Sequence, residues 1–228
     1  MFRNIVVLLM LISYLIFFKN CEAEDRIKIG MIDSGISKEQ ANSKYLCKDG
    51  RRSVIYDDKE GYDTFGHGTN IFGLISERIN PNTHCIISYK VWDHNFDNTN
   101  KKLEIFYSAL GIEMIIASGV KYLNISMSGY GFSKYEYKVL ESAVKKAIII
   151  VAAGNSGSDL NANCNTYPAC YKKFFDKNFI VIGSSTGEYS NEGSIVDFKV
   201  DGTKKGTPVF SGTSQSTAIF TGDFVSKK

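Results

Sequence analysis

Asp33 is followed by Ser34 and Gly35, His67 stands between Gly66 and Gly68, and Ser214 follows Gly212 and Thr213. An acid, a base and a hydroxyl are what covalent acyl transfer through a serine requires. The hydroxyl is a weak nucleophile at its own pKa, a neighbouring imidazole must take its proton, and a carboxylate must hold that ring in the right tautomer. These needs assign Ser214 as nucleophile, His67 as the base that later returns the proton to the leaving amine, and Asp33 as the orienting acid. Asn155, directly after Ala152-Ala153-Gly154, offers a side-chain amide that can donate to the developing oxyanion. Activity is expected to rise with pH as His67 loses its proton, near the reference value of about 6.5.

Each residue taken singly has a plainer reading. Ser214 before a helical stretch would be a cap, Asp33 an Asx turn, Asn155 a left-handed turn ahead of Ser156-Gly157, and a lone histidine is more often structural. Their order along the chain, each beside glycine, outweighs those readings. His84 and His94 lack such surroundings and read as loop or surface residues. Asp63 is a rival acid because it is close to His67 in sequence. Asp33 is preferred because a strand end would hold it, whereas Asp63 falls in a loop. Ser126-Met127-Ser128-Gly129 offers backbone for an extended substrate to pair with as an added strand, and Ala152, Ala153 and Gly154 a further wall of a side-chain pocket. For both, ordinary strand-to-loop packing is the alternative.

The elements that must position these groups alternate between short apolar runs and helical patterns, the signature of strand-helix-strand units and a mostly parallel sheet. Strands are predicted over Ile27–Ile32, Cys85–Trp92, Tyr122–Met127, Ala147–Ala152 and Phe179–Gly183. Helices are predicted over Thr69–Arg78, Leu103–Ser118 and Tyr135–Lys146, with another from Gln215 onward. Asp33, Ser126 to Gly129 and Asn155 each follow the carboxyl end of a strand, where working groups collect in open α/β sheets.

The chain has 228 residues with 27 Lys and Arg against 24 Asp and Glu, a net charge of +3. No basic stripe is present, so nucleic acid is not an expected partner. Arg3 and the apolar run Ile5–Phe18, ended by Lys19-Asn20 and followed by Cys21-Glu22-Ala23, read as a signal peptide at 1–23. The run is short of the roughly 20 residues a spanning helix needs, so cleavage after Ala23, a secreted or periplasmic product and no stable membrane insertion are expected, with an uncleaved anchor as the alternative. The remaining 24–228 form one domain, long enough to bury roughly 70% of its unfolded surface. Cys47, Cys85, Cys164 and Cys170 are then an even set in an exported chain, which predicts disulfides. Cys164 and Cys170 flank a short Tyr-Pro loop and can close a local ring, leaving Cys47 with Cys85; four free thiols are the alternative. No Cys-x-x-Cys pair points to zinc.

The chain resembles the subtilisin-like (subtilase) serine proteases. The likeness rests on Ile29-Gly-Met-Ile-Asp-Ser-Gly-Ile36, Gly66-His-Gly-Thr69, Gly111–Gly131, Ile148–Gly157 and Ser211–Ser214, in that order, and covers nearly everything from Arg26 onward. The triad order Asp, His, Ser is that of subtilisin. The resemblance implies a three-layer α/β/α fold around a mostly parallel sheet, shortened at its C-terminus. It implies Asp33, His67 and Ser214 as the triad, Asn155 as oxyanion donor and Ser126–Ser128 as the substrate-binding strand. It further implies polypeptide substrates, a monomer and no cofactor. Departures stand at Asn70, where the family has histidine, at Met127-Ser128-Gly129 in place of Leu-Gly-Gly, and at Gln215-Ser216-Thr217-Ala218 in place of Met-Ala-x-Pro. The expected propeptide has no room before the first strand, and the usual calcium loop is missing, so no metal is expected. A non-catalytic peptide-binding protein on the same scaffold is the competing reading, and peptide ligation ranks behind both.

Overall fold

The first strand, β1 (Ile27–Asp33), sends Ile29 and Met31 into one apolar cluster and Ile32 into another, as period-two alternation demands. Both faces of the strand are therefore covered. That is the environment of a parallel strand between helical layers, and the reason its sequence reads as a nearly unbroken apolar run. The computed structural model describes residues 25–94 and 101–228. The expected signal peptide, with Cys21 and the cut after Ala23, lies outside the described residues.

Around β1 the chain lays down β2 (Leu46–Ser53), α1 (His67–Ser76), β3 (His84–Lys90), α2 (Lys101–Ala117), β4 (Tyr122–Ile125) and β5 (Gly129–Tyr130). There follow α3 (Lys134–Ala143), β6 (Ile148–Ala152), β7 (Thr166–Tyr167), β8 (Phe179–Ser184), β9 (Phe198–Val200) and α4 (Thr213–Val225). Seven strands form one sheet in the order β2-β3-β1-β4-β6-β8-β9, with every neighbouring pair parallel. β5 and β7 make a separate antiparallel pair. On one face, Ile71, Leu74 and Ile75 of α1 and Ala218 and Ile219 of α4 pack against Ile29, Met31 and Ile86. On the other, Ile112 and Ile115 of α2 and Leu140 and Ala143 of α3 pack against Ile32, Leu123, Ile149 and Val181. The result is the expected three-layer α/β/α arrangement.

Two expectations need correcting. β2 has no counterpart in the sequence reading, because LCKDGRRS is polar and the strand sits at the sheet edge, where one side faces solvent. His84 is not a surface residue: it begins β3, is buried, and shares a hydrogen bond of 2.8 Å between its Nδ1 and the Thr83 hydroxyl. Burial disfavours its charged form and pulls its pKa down. His94 is exposed, as expected. The cysteines pair as Cys47–Cys85, tying β2 to β3, and Cys164–Cys170, closing a local ring.

Lys90 ends β3 with its ammonium buried between Asp58 at 3.0 Å and Asp93 at 2.6 Å, while donating to the Tyr62 carbonyl at 2.9 Å. Burial alone lowers its pKa, but the two carboxylates outweigh this and raise it. Removing the cation leaves two neighbouring carboxylates without the ammonium that neutralises them. Lys90→Ala is expected to cost about 3 kcal/mol of unfolding free energy, measured by urea titration; a loss under about 1 kcal/mol would show the cluster to be held mainly by water.

Candidate active site

β1, β4 and β6 are consecutive neighbours in the sheet and run the same way. Their carboxyl ends therefore present Asp33, Ser126 and, three residues past β6, Asn155 along one rim. This rim lies where the chain order across the sheet reverses about β1, the place where open α/β sheets form a crevice.

His67 reaches that rim from the first residue of α1. Gly66 holds the preceding turn at φ 97°, in the left-handed region that favours glycine. Gly68 lies so close to β1 that a Cβ there would run into the Gly35 carbonyl, and its N–H donates to the Ser34 hydroxyl at 2.9 Å. Asp63 organises the loop in front of the helix. It accepts the Phe65 and Gly66 N–H groups at 2.9 and 2.8 Å, the Thr69 N–H and hydroxyl at 2.8 and 2.6 Å, and the Ser34 hydroxyl at 2.9 Å. The rival acid is thus used up in positioning, and the carboxylate that meets the imidazole is Asp33. His67 Nδ1 lies 2.7 Å from Asp33 Oδ1, which also takes the Ser34 N–H at 2.7 Å. Burial pushes the His67 pKa down, but the charge and hydrogen bond of Asp33, aided by the charge of Asp63, reverse this and raise it above 6.5.

Ser214 stands in the first turn of α4, in the positive end of the helix dipole. Its hydroxyl donates to the Ser126 carbonyl at 2.6 Å, not to His67, while the Ser126 hydroxyl donates back to the Ser214 carbonyl at 2.9 Å. Behind this clasp Thr221 donates to Asn124 at 3.0 Å and Asn124 to Ser126 at 2.9 Å, a buried polar relay from α4 to the end of β4. The sequence analysis missed Asn124. Its signal was one amide inside the otherwise apolar stretch Tyr122–Ile125. Asn155 fixes its own orientation: Oδ1 accepts the Thr213 N–H and hydroxyl at 2.8 and 2.9 Å, satisfying one of the open donors at the start of α4. The amide Nδ2 is thereby turned to the other side, and the residue is exposed.

Two departures from the family pattern turn out to be partners. Gln215 is buried and its Nε2 donates to Asn70 Oδ1 at 3.0 Å; Asn70 Nδ2 in turn donates to the carbonyls of Lys205 and Pro208 at 2.8 and 2.6 Å. The residue after Thr69 and the residue after Ser214 thus lock α1, α4 and the 205–208 loop together.

Asp33, His67, Asn155 and Ser214 line a single cavity of about 390 Å³, together with Ser126, Met127, Ser128 and Gly129. Met127 and Ser128 belong to no strand. Ala152, Ala153 and Gly154 are buried beneath Asn155 and do not line the cavity. Tyr167 and Pro168 stand at its wall.

The family model described as "Subtilase family" matches residues 24–225. Among curated relatives, subtilisin DY of Bacillus licheniformis is 26% identical over 179 residues, covering 77% of this chain and 64% of its own length. The minor extracellular protease Epr of Bacillus subtilis (strain 168) is 30% identical over 212 residues, covering 84% of this chain and 30% of its own. The chain thus spans less than two thirds of either relative. A crystal structure of a cold adapted subtilisin-like serine proteinase superposes with a TM-score of 0.67 at 25% identity, over 89% of this chain and 76% of that one.

The Asn70–Gln215 contact yields a stability test. Asn70→Ala and Gln215→Ala each leave buried polar groups unpaired and should each cost about 1–3 kcal/mol in denaturant unfolding. The double variant should lose at least about 0.5 kcal/mol less than the sum. Strict additivity would show that the two amides act independently.

Proposed function

We propose, on the premise that this chain belongs to the subtilase family, that it is a secreted serine endopeptidase cleaving polypeptides through an acyl-enzyme at Ser214. The observation that carries the reading is the 2.7 Å bond between Asp33 and His67 inside the same cavity as Ser214 and Asn155. Export is favoured by the two disulfides, which persist in oxidising compartments, and by the likeness to a protease named extracellular.

His67 Nδ1–H donates to Asp33, which leaves Nε2 with its lone pair toward the cavity. The Ser214 hydroxyl turns from the Ser126 carbonyl to Nε2. Its oxygen then bonds to the substrate carbonyl carbon as the proton passes to the ring. The carbonyl oxygen takes up negative charge and is met by Asn155 Nδ2, whose other end is already pinned by Thr213. Collapse breaks the carbon–nitrogen bond, and the amine leaves with the proton from Nε2. Water repeats the sequence on the acyl-enzyme and frees Ser214. While Ser214 points to Nε2 or carries the acyl group, the Ser126 carbonyl is free to accept from the substrate backbone.

One observation favours a second reading, a subtilase-like protein that binds peptides without cleaving them: the Ser214 hydroxyl is held by Ser126 and not by His67. A fluorophosphonate probe separates the two. The folded chain should be labelled, and Ser214→Ala should not; a folded but unlabelled chain would overturn the peptidase reading.

The pH dependence follows from the sign of the His67 shift. Below its pKa the ring is protonated and cannot accept from Ser214, so activity is lost as pH falls. Because the pKa is raised, the midpoint of this acid limb should lie above 6.5. A limb centred below 6.5 would mean that Asp33 does not stabilise the imidazolium. Asn155→Ala should lower kcat about 10²–10³-fold, the scale known for such a donor in subtilisin, with KM nearly unchanged. An unchanged kcat would remove Asn155 from the oxyanion role.

A further inference from the structure

The cavity that holds Ser214 and His67 extends to residues these roles do not use. Glu104 and Ser108 of α2 and Glu136 of α3 also line it. They belong to the helical layer opposite the one that supplies His67 and Ser214. They therefore enter the cavity away from the reacting groups.

Glu136 is 6% exposed. Its Oε1 accepts the Ser108 hydroxyl at 3.0 Å. Among the described residues no lysine, arginine or histidine pairs with it, and none of the cavity-lining residues is a lysine or an arginine. The Tyr171 hydroxyl lies beside the carboxyl but gives its proton to the Ser133 carbonyl at 3.0 Å. Burial without a counter-charge raises the pKa of Glu136.

A structural duty would account for such a residue, and its position names the candidate. Ser133 caps α3, accepting the Glu136 N–H at 3.3 Å. A serine cap with glutamate three residues on is the pattern of the capping box, in which the glutamate side chain returns to the cap residue's own N–H. Here the Ser133 N–H donates instead to the Tyr171 hydroxyl at 3.1 Å. The Glu136 carboxyl is released from that duty and instead meets Ser108, a fellow lining residue of the cavity.

We infer that Glu136 forms the floor of a subsite for a positively charged side chain, lysine or arginine, of a bound peptide, at a position removed from the bond to be cleaved. The inference rests on reading the cavity as a peptide groove. A buried carboxyl with one hydroxyl donor and no cation is costly to ionise alone, and an incoming ammonium or guanidinium supplies the missing charge. Glu104, half-buried at the same cavity, adds a second negative charge. Ile105 and Met127 supply apolar wall for the methylene stem of the incoming residue.

Fluorescein-labelled decapeptides of alanine and glycine, with a single lysine, norleucine or glutamate walked through each position, test this by fluorescence anisotropy on the Ser214→Ala chain, where nothing is turned over. At one position lysine should bind about tenfold or more tighter than norleucine, and glutamate weakest. Glu136→Gln keeps an acceptor for Ser108 and should erase the lysine advantage. Glu136→Leu should reverse the order in favour of norleucine. Equal binding of lysine and norleucine to the chain with Glu136 intact overturns the inference without any variant, and so does a lysine advantage that survives in a folded Glu136→Gln or Glu136→Leu chain. The fluorophosphonate experiment fails or succeeds separately. An unlabelled chain that still prefers lysine keeps the subsite and loses the peptidase, whereas a labelled chain without the preference does the reverse.

Discussion

The 2.7 Å hydrogen bond between Asp33 and His67 is the contact on which the rest of the site depends. Its two partners come from different elements, one ending a central strand and the other opening a helix on the sheet face. Bringing them together requires the start of α1 to lie almost on the β1–loop junction. Gly68 makes that approach sterically possible, and Ser34 bonds it from one side. Asp63 ties the approach loop to both Ser34 and Thr69. The apolar contacts of Ile71 and Ile75 with Ile29 and Met31 hold the helix to the sheet beneath. Packing sets the distance to within a turn of helix; the polar contacts at Asp63 and Ser34 set it to within a hydrogen bond.

Much of this was legible in the sequence because the relevant signals were periodic or conformationally demanding. β1, β3, β6 and β8 are covered on both faces, so their apolar runs stand out, and the groups that follow them fall on one rim by topology alone. Edge strands carry no such signal. β2 is half solvent-facing and reads as a polar loop, and β9 (Phe198–Val200) is short and mostly exposed. Helix starts were read late by one to two residues, since His67 and Thr213 open helices from motifs whose glycines read as loop. The placement of Ala152, Ala153 and Gly154 could not be read at all. Whether small residues after a strand face a cavity or the interior depends on the turn of the backbone at Gly154, which has φ 100°.

The least legible features were paired polar groups. Asn70 and Gln215 each look like an isolated departure when read along the chain, and a buried amide is a liability by itself. Across the interface between α1 and α4 they satisfy each other and two loop carbonyls, so neither departure leaves an unpaired buried amide beside His67 or Ser214. Asn124 behaves likewise, linking Thr221 to Ser126. Such pairs are invisible to composition and periodicity, because the separation between partners, 145 residues for Asn70 and Gln215, exceeds any local window.

Two buried charged residues, Lys90 and Glu136, show how structural and ligand-directed burial differ. Each has a raised pKa, but the balance of causes is opposite. For Lys90 burial works against the charged form and two carboxylates overcome it, so the ammonium stays charged within a closed, internally satisfied cluster. For Glu136 burial is the dominant influence and the neighbouring Ser108 and Tyr171 hydroxyls only moderate it, so its pKa is raised above the ordinary carboxylate value. The fold thus compensates one buried charge completely and leaves the other to be compensated from outside. That second choice is made where the carboxyl borders the cavity shared with Ser214, and it costs stability that an enclosed leucine at the same place would not.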